Sequence, residues 1–217
     1  MAKQGFKLDI GFKSVPGTDH AYEDRVLVDA ARGLFAVADG ITLSSKGSGG
    51  IAARLSTYML ADFFKGDLQE AMSMVNKTMS KLAEFDNYIG ETTMTAACIK
   101  DGVLHVANVG DSPAYLFRAG NMKRIYAPDK SPGGGISQYV PCLGRIVIHK
   151  YQASLQPGDM LVIASDGVFN ILNPKDIGSV EGLRMEEAAE RLVGLSQDRK
   201  QSYDDDKSII LAKAERA

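Results

Sequence analysis

The chain has 217 residues, 45% hydrophobic and 24% charged, which suits one well-filled core and is short for two. A formal net charge of −2 removes any electrostatic case for nucleic acid or an anionic membrane as partner. No apolar run approaches the ~18 residues of a membrane span, Met1–Phe6 lacks the apolar stretch of a signal peptide, and Cys98 and Cys142 have no metal-binding or redox spacing. The expectation is a single domain over residues 1–217, a cytoplasmic monomer with reduced thiols.

In chain order, short apolar runs closed by Gly, Asp or Pro predict strands at Phe6–Phe12, Asp24–Asp29 and Gly33–Ala38. Two helices follow. Ile51, Leu55, Met59 and Phe63 recur every four residues within Gly49–Phe64, and Leu68, Met72, Val75, Met79 and Leu82 do the same within Asp67–Phe85. The methionines of the second stripe read as core filling. Strands are then predicted at Met94–Lys100, Val103–Val109, Ala114–Ala119, Met122–Ile125, Arg145–Gln152 and Met160–Ser165. A helix over Met185–Leu195 and a strand over Lys207–Ala212 complete the list. Asp101-Gly102 and Ala119-Gly120 read as hairpin turns, so the sheets are mostly antiparallel. Ala127–Tyr139, with Pro128, Pro132 and three successive glycines, reads as a mobile loop. The expected class is α+β: two antiparallel sheets packed face to face with helices outside, a four-layer α-β-β-α sandwich.

The chemistry-bearing residues are acids at strand ends. Phe35–Ala38 runs into Asp39-Gly40, Leu161–Ser165 into Asp166-Gly167, and Leu104–Val109 into Gly110-Asp111. Glu23-Asp24 opens one strand and Asp204-Asp205-Asp206 another. A carboxylate at the lip of a buried strand is costly to desolvate without a compensating cation. Hard oxygen ligands in this number suit Mg²⁺ or Mn²⁺ rather than zinc. Taken singly, each Asp-Gly reads more readily as a plain turn, and the Asp run as a solvated loop or helix-dipole device.

Together these segments resemble, in order and over nearly the whole chain, the metal-dependent Ser/Thr protein phosphatases (PPM, type 2C). The carriers are Tyr22-Glu23-Asp24, Phe35–Gly40, Glu91–Ala96, Asn108-Val109-Gly110-Asp111-Ser112 with Ala114-Tyr115, Tyr139–Gly144, Leu161–Val168 and Asp205–Ser208. The resemblance implies a phosphoserine/phosphothreonine protein substrate and a pair of Mn²⁺ or Mg²⁺ ions that activate water. Asp39 would bridge the ions, with the Gly40 carbonyl facing one. Asp166 and Asp205 would hold the first ion, Asp24 and Glu23 would reach the second, and Asp111 with Asp166 would match a weaker third position. Asp39 and Asp166 would act in catalysis through the water they help to hold.

The chain departs from the pattern in places. Asp19 stands where the family carries a phosphate-gripping Arg, leaving Lys13 as the candidate, with Arg145 and Arg54 behind it. Pro113 replaces an Arg, Glu91 replaces a Gly, and Ile41 stands where some members have a His. His20 reads as a solvated loop residue, and His105 and His149 as structural. A catalytically weak regulatory or binding module of the same fold is the alternative. A phosphodiesterase or nuclease ranks last, because no basic cluster with interleaved aromatics is present.

Overall fold

The computed structural model describes residues 6–42, 44, 46–199 and 202–216. It contains ten strands: β1 (Phe6–Val15), β2 (Arg25–Asp29), β3 (Leu34–Ala38), β4 (Met94–Lys100), β5 (Val103–Val109), β6 (Ala114–Arg118), β7 (Asn121–Arg124), β8 (His149–Ser154), β9 (Met160–Ala164) and β10 (Lys207–Arg216). The helices are α1 (Gly49–Phe63), α2 (Leu68–Phe85), α3 (Asp166–Phe169), α4 (Pro174–Gly178) and α5 (Met185–Asp198). Every predicted strand and helix has its counterpart. The short helices α3 and α4 were not predicted, because one turn carries no readable 3.6-residue period.

One sheet runs β1-β10-β9-β6-β7 and the other β2-β3-β4-β5-β8, with every pairing antiparallel. Period-two alternation sorts each strand between two cores. Phe35 and Val37 of β3 face inward against Ile163 of β9 and Ile210 of β10. Leu34 and Ala36 face outward onto α1 and α2, with Leu60, Met72 and Met79. On the far side Val162, Ile209 and Leu211 meet Met185, Ala188 and Leu192 of α5. The α-β-β-α sandwich is therefore present. Strands such as β3 and β9 read as unbroken apolar runs because both of their faces are covered.

The two hairpin turns are built as expected. Asp101 and Gly102 have φ of 51° and 76°, and Ala119 and Gly120 have 48° and 77°, the left-handed pairs that match strand twist. On α1 the fully buried apolar side chains are Ala52, Ala53 and Leu60, while Ile51, Leu55, Met59 and Phe63 pack only in part. The helix is rotated so that its small residues meet the sheet closely. The helix opens on Ser48, whose hydroxyl accepts from the Ile51 amide at 3.3 Å.

Two predictions about this region need correction. The strand expected at Arg145–Gln152 starts only at His149, and the Val147 amide donates instead to the Gln138 side chain at 2.9 Å. The segment read as a mobile loop is pinned. Asp129 accepts from the Gly110 amide at 2.9 Å, returns its own amide to the Gly110 carbonyl at 3.1 Å, and is bonded to His149 Nε2 at 2.7 Å. His149 is thus structural, as expected.

Candidate metal centre

Strand register decides where the acids go. Arg25 pairs with Ala38, Val37 with Thr95 and Met94 with Val109, so the start of β2, the end of β3, the start of β4 and the end of β5 share one edge of their sheet. In the facing sheet Ile209 pairs with Ala164 and Ala114 with Ile163, which puts the start of β10, the end of β9 and the start of β6 at the matching edge. The residues just beyond these ends are Asp24, Asp39, Asp111, Asp166 and Asp205. Four of them, Asp39, Asp111, Asp166 and Asp205, line one cavity of about 130 Å³ together with Gly40, Ile41, Thr42 and Ile136. Larger cavities of about 450 and 520 Å³ lie beside β8 and beside the β2–β3 turn, away from the acids. Small ions need charge more than room, so the smaller cavity is the chemical one.

Main-chain and hydroxyl contacts hold the cluster's frame. The Asp39 carbonyl accepts from the Thr93 amide and the Thr92 hydroxyl, both at 2.8 Å. Thr93 Oγ1 lies 2.6 Å from Ser112 Oγ, Thr95 Oγ1 donates to the Ser112 carbonyl at 2.7 Å, and Asn108 donates to Thr95 Oγ1 at 2.9 Å. Thr92, Thr93, Thr95, Asn108 and Ser112 are all buried, so the network ties the Asp39 turn to the Asp111 turn. Glu23 Oε1 accepts from the Gly50 amide at the start of α1 at 3.2 Å.

The electrostatics are those of an acid cluster compensated only at its edges, by Lys130 at Asp111 and His20 at Asp205. Asp24 is 1% exposed, and neither of its oxygens makes a hydrogen bond. Burial lifts its pKa to about 7; the nearby Ser208 and Ser165 hydroxyls, off hydrogen-bond geometry, pull back, and Asp206 and Asp205 push further up. Burial, followed by the charges of Asp24, Asp166, Asp205 and Asp111, holds Asp39 well above the usual carboxylate range. Burial with the Asp205 and Asp111 charges raises Asp166 to about 6, opposed by Lys130 and Asn170. Glu23 Oε2 is likewise buried without a hydrogen bond, 3.8 Å from His20 Nδ1. Among the described residues no three His, Cys, Asp or Glu side chains are already drawn tightly around one point. Repelling carboxylates spread apart, and their unpartnered oxygens are the feature that fits divalent cations.

Residues 29–215 match the family described as Stage II sporulation protein E (SpoIIE). The chain belongs to the SpoIIE family. This SpoIIE-family chain is also 30% identical over 183 residues to "Probable protein phosphatase 2C BIPP2C1" of Oryza sativa subsp. japonica, covering 78% of the chain and 31% of that relative. It therefore spans under a third of the rice protein. A second relative, "Probable protein phosphatase 2C 59" of Arabidopsis thaliana, is 28% identical over 246 residues, covering 88% of the chain and 75% of the relative. Among solved structures, the serine/threonine phosphatase PstP/Ppp of Mycobacterium tuberculosis superposes with a TM-score of 0.83 at 22% identity, over 96% of this chain and 99% of that one. The catalytic domain of PstP in complex with two manganese ions gives 0.84 at 22% identity, over 97% and 100%. The fold is that of the PPM phosphatases.

Within the SpoIIE-family chain the structure gathers most of the predicted residues and sends one elsewhere. Asp39, Gly40, Asp111, Asp166 and Asp205 share the cavity, while Asp24 and Glu23 lie buried beside it. Lys13 does not join them. Its place on β1 puts it on the same face as Gly11 and Val15, toward α5, where it pairs with Glu190 at 3.3 Å. His20 is not the solvated residue expected. Its side chain is 6% exposed, with Nε2 2.7 Å from Asp205 Oδ1 and Nδ1 2.6 Å from the Ala21 carbonyl. Burial draws its pKa down, but the bonds to Asp205 and Ala21 outweigh this and leave it raised.

Asp206 is a residue that sequence reasoning passed over. Its carboxylate, 2% exposed, accepts from the amides of Gly17 at 2.8 Å, Glu23 at 2.6 Å and Asp24 at 3.1 Å. It positions the Glu23-Asp24 segment against the β10 turn. The signal was available, since Asp206 sits between an Asp run and a buried strand.

Gly40 and Gly167 are small for want of room, since neither has a positive φ. A Cβ on Gly40 would stand 2.4 Å from the Gly49 carbonyl carbon, and one on Gly167 would stand 2.0 Å from the Asp206 carbonyl oxygen. Gly167→Ala is therefore expected to push the Asp205 turn away from Asp166. The cost should be about 1–3 kcal/mol of stability, read by urea denaturation, together with weaker Mn²⁺ binding by calorimetry. Wild-type values for both would contradict this packing.

Proposed function

We propose that this chain is a metal-dependent protein serine/threonine phosphatase, hydrolysing phosphomonoesters of phosphoserine and phosphothreonine proteins. The observation that carries the reading is the convergence of Asp39, Asp111, Asp166 and Asp205 on one small cavity, beside buried Asp24 and Glu23 oxygens that make no hydrogen bond. Two Mn²⁺ or Mg²⁺ ions would be held by Asp39, serving both, the Gly40 carbonyl, serving one, Asp166 and Asp205 for the first, and Asp24 and Glu23 for the second. When bound, such a pair lowers the pKa of water toward neutrality and offsets negative charge developing on the phosphoryl oxygens.

The chain's own residues supply the rest. Thr92 and Thr93 fix the Asp39 main chain, Asp206 fixes Glu23 and Asp24, and His20 orients Asp205 through its 2.7 Å bond. No protein nucleophile is required. The named phosphatase relatives and the two-manganese PstP structure support the same reading.

The test is turnover of a chromogenic aryl phosphate monoester and of phosphoserine and phosphothreonine peptides with Mn²⁺, alongside calorimetric Mn²⁺ titration. Wild type should bind about two ions and turn over, and Asp166→Asn should lose tight binding and activity together. Metal binding without turnover on any of these substrates would favour the regulatory-module alternative. Unchanged binding in Asp166→Asn would remove Asp166 from the ligand set.

A further inference from the structure

The acid cavity has a neighbour. A second space of about 150 Å³ shares Asp111 and Asp166 with it and is closed by Tyr115, Arg124, Lys130 and Asn170. Lys130 Nζ lies 3.2 Å from Asp111 Oδ2, with Asp111 7% and Lys130 45% exposed. Asn170, which caps the C-terminal end of α3, donates Nδ2 to Asp166 Oδ2 at 3.3 Å and is neutral. This side of the cluster thus offers two carboxylates, one amide, the Arg124 guanidinium, the Tyr115 hydroxyl and one ammonium, and it is the ammonium that pairs with Asp111.

Lys130 is delivered there by the fold. The preceding residue, Asp129, is locked to both the amide and the carbonyl of Gly110, which is next to Asp111 in the chain. The loop holding Lys130 closes on itself through the Lys130–Ile136 bridge and the Ser131 amide bond to the Gly135 carbonyl at 2.8 Å. The Lys130 main chain is therefore held where its ammonium reaches Asp111.

We propose that the Lys130 ammonium occupies the electrostatic place of a third cation, so that this centre takes two divalent ions and excludes a third at Asp111 and Asp166. The inference rests on the two-ion reading above. A divalent ion on Asp111 would compete with Lys130 for Oδ2 and, bound through Oδ1 instead, would still meet a positive charge within a few ångströms. Metal supply would then set occupancy of two sites only, with the third charge supplied by the polypeptide.

The experiment is Mn²⁺ titration of the EDTA-treated full chain, by calorimetry and by the electron paramagnetic resonance signal of free Mn²⁺. Expected stoichiometries are about two for wild type and Lys130→Arg, and about three for Lys130→Met, the added ion being the weakest. Lys130→Met combined with Asp111→Asn should return to about two. Lys130 is nearly half exposed, so the variants should fold, which a thermal melt verifies. About two ions in both wild type and Lys130→Met, or about three in wild type, overturns the inference alone. A wild type that binds no Mn²⁺ overturns it together with the two-ion reading.

Discussion

Asp39→Asn should lower kcat/KM on a phosphate monoester by more than about a thousandfold, equivalent to about 4 kcal/mol of barrier, while raising the melting temperature of the metal-free protein. The two effects have one origin. Asp39 is the acid whose charge meets Asp24, Asp166, Asp205 and Asp111 together, so burial and repulsion both oppose its ionisation. An amide of the same shape removes that repulsion, and with it the group proposed to lie between two ions. The frame should survive, because Thr92 and Thr93 bind the main-chain oxygen of residue 39 and not its carboxylate. Turnover assays and thermal melts in EDTA check both halves. Near-wild-type turnover would remove Asp39 from the centre, and a lower melting temperature would contradict the repulsion.

The metal-free protein should also lose stability as pH rises from about 4 to about 7, the reverse of ordinary acid denaturation. Asp24 titrates at about 7 and Asp166 at about 6 in the folded chain, with Asp39 also raised, against 3.8 for an unperturbed Asp. Across that window the folded state holds more protons than the unfolded one, so raising pH favours unfolding. A tenfold difference in proton affinity between the two states is worth about 1.4 kcal/mol, and because the three acids share one repulsion the total is a few kcal/mol rather than the sum. For a chain of this size that is roughly 10 °C between pH 5 and pH 8. Saturating Mn²⁺ at pH 8 should restore it, since cations bind the deprotonated acids of the folded state. Below about pH 4 the slope turns over. Asp29, Asp176 and Asp204, held low by hydrogen bonds from Arg32, Arg199 and Lys207, are then protonated and their contribution is lost. Scanning fluorimetry in EDTA from pH 3 to 9 measures both limbs, and a melting temperature that climbs between pH 5 and 8 would refute the acid-cluster account.

Much of the architecture could be read locally. The β3 and β9 runs ending in Asp-Gly, the hairpin turns at Asp101-Gly102 and Ala119-Gly120, and the four-residue spacing in α1 and α2 each reflect a short-range rule of backbone geometry or burial. The errors fell where that rule is weak. β8 pairs only with β5 at the sheet's edge, so its start depends on where the partner stops rather than on its own apolar content. Leu82 carries on the α2 stripe yet is 40% exposed, in the last turn of a helix whose final residue, Phe85, is 89% exposed.

Taken alone, the amino-acid order determined which carboxylates stand at strand ends, and hence that Asp24, Asp39, Asp111, Asp166 and Asp205 would need compensation, since a strand end is a local property. The tertiary structure decided which other groups reach them. Lys13 went to Glu190 because strand alternation turned it toward α5, whereas Lys130 reached Asp111 because Asp129 is bonded to Gly110. His20 closed on Asp205 because the Gly17–Asp19 segment folds under the Asp204–Asp206 turn, with Gly17 bonded to Asp206 and Thr18 to Asp204. These partners are 19 to 189 residues apart in sequence, and only the register of the two sheets brings them together.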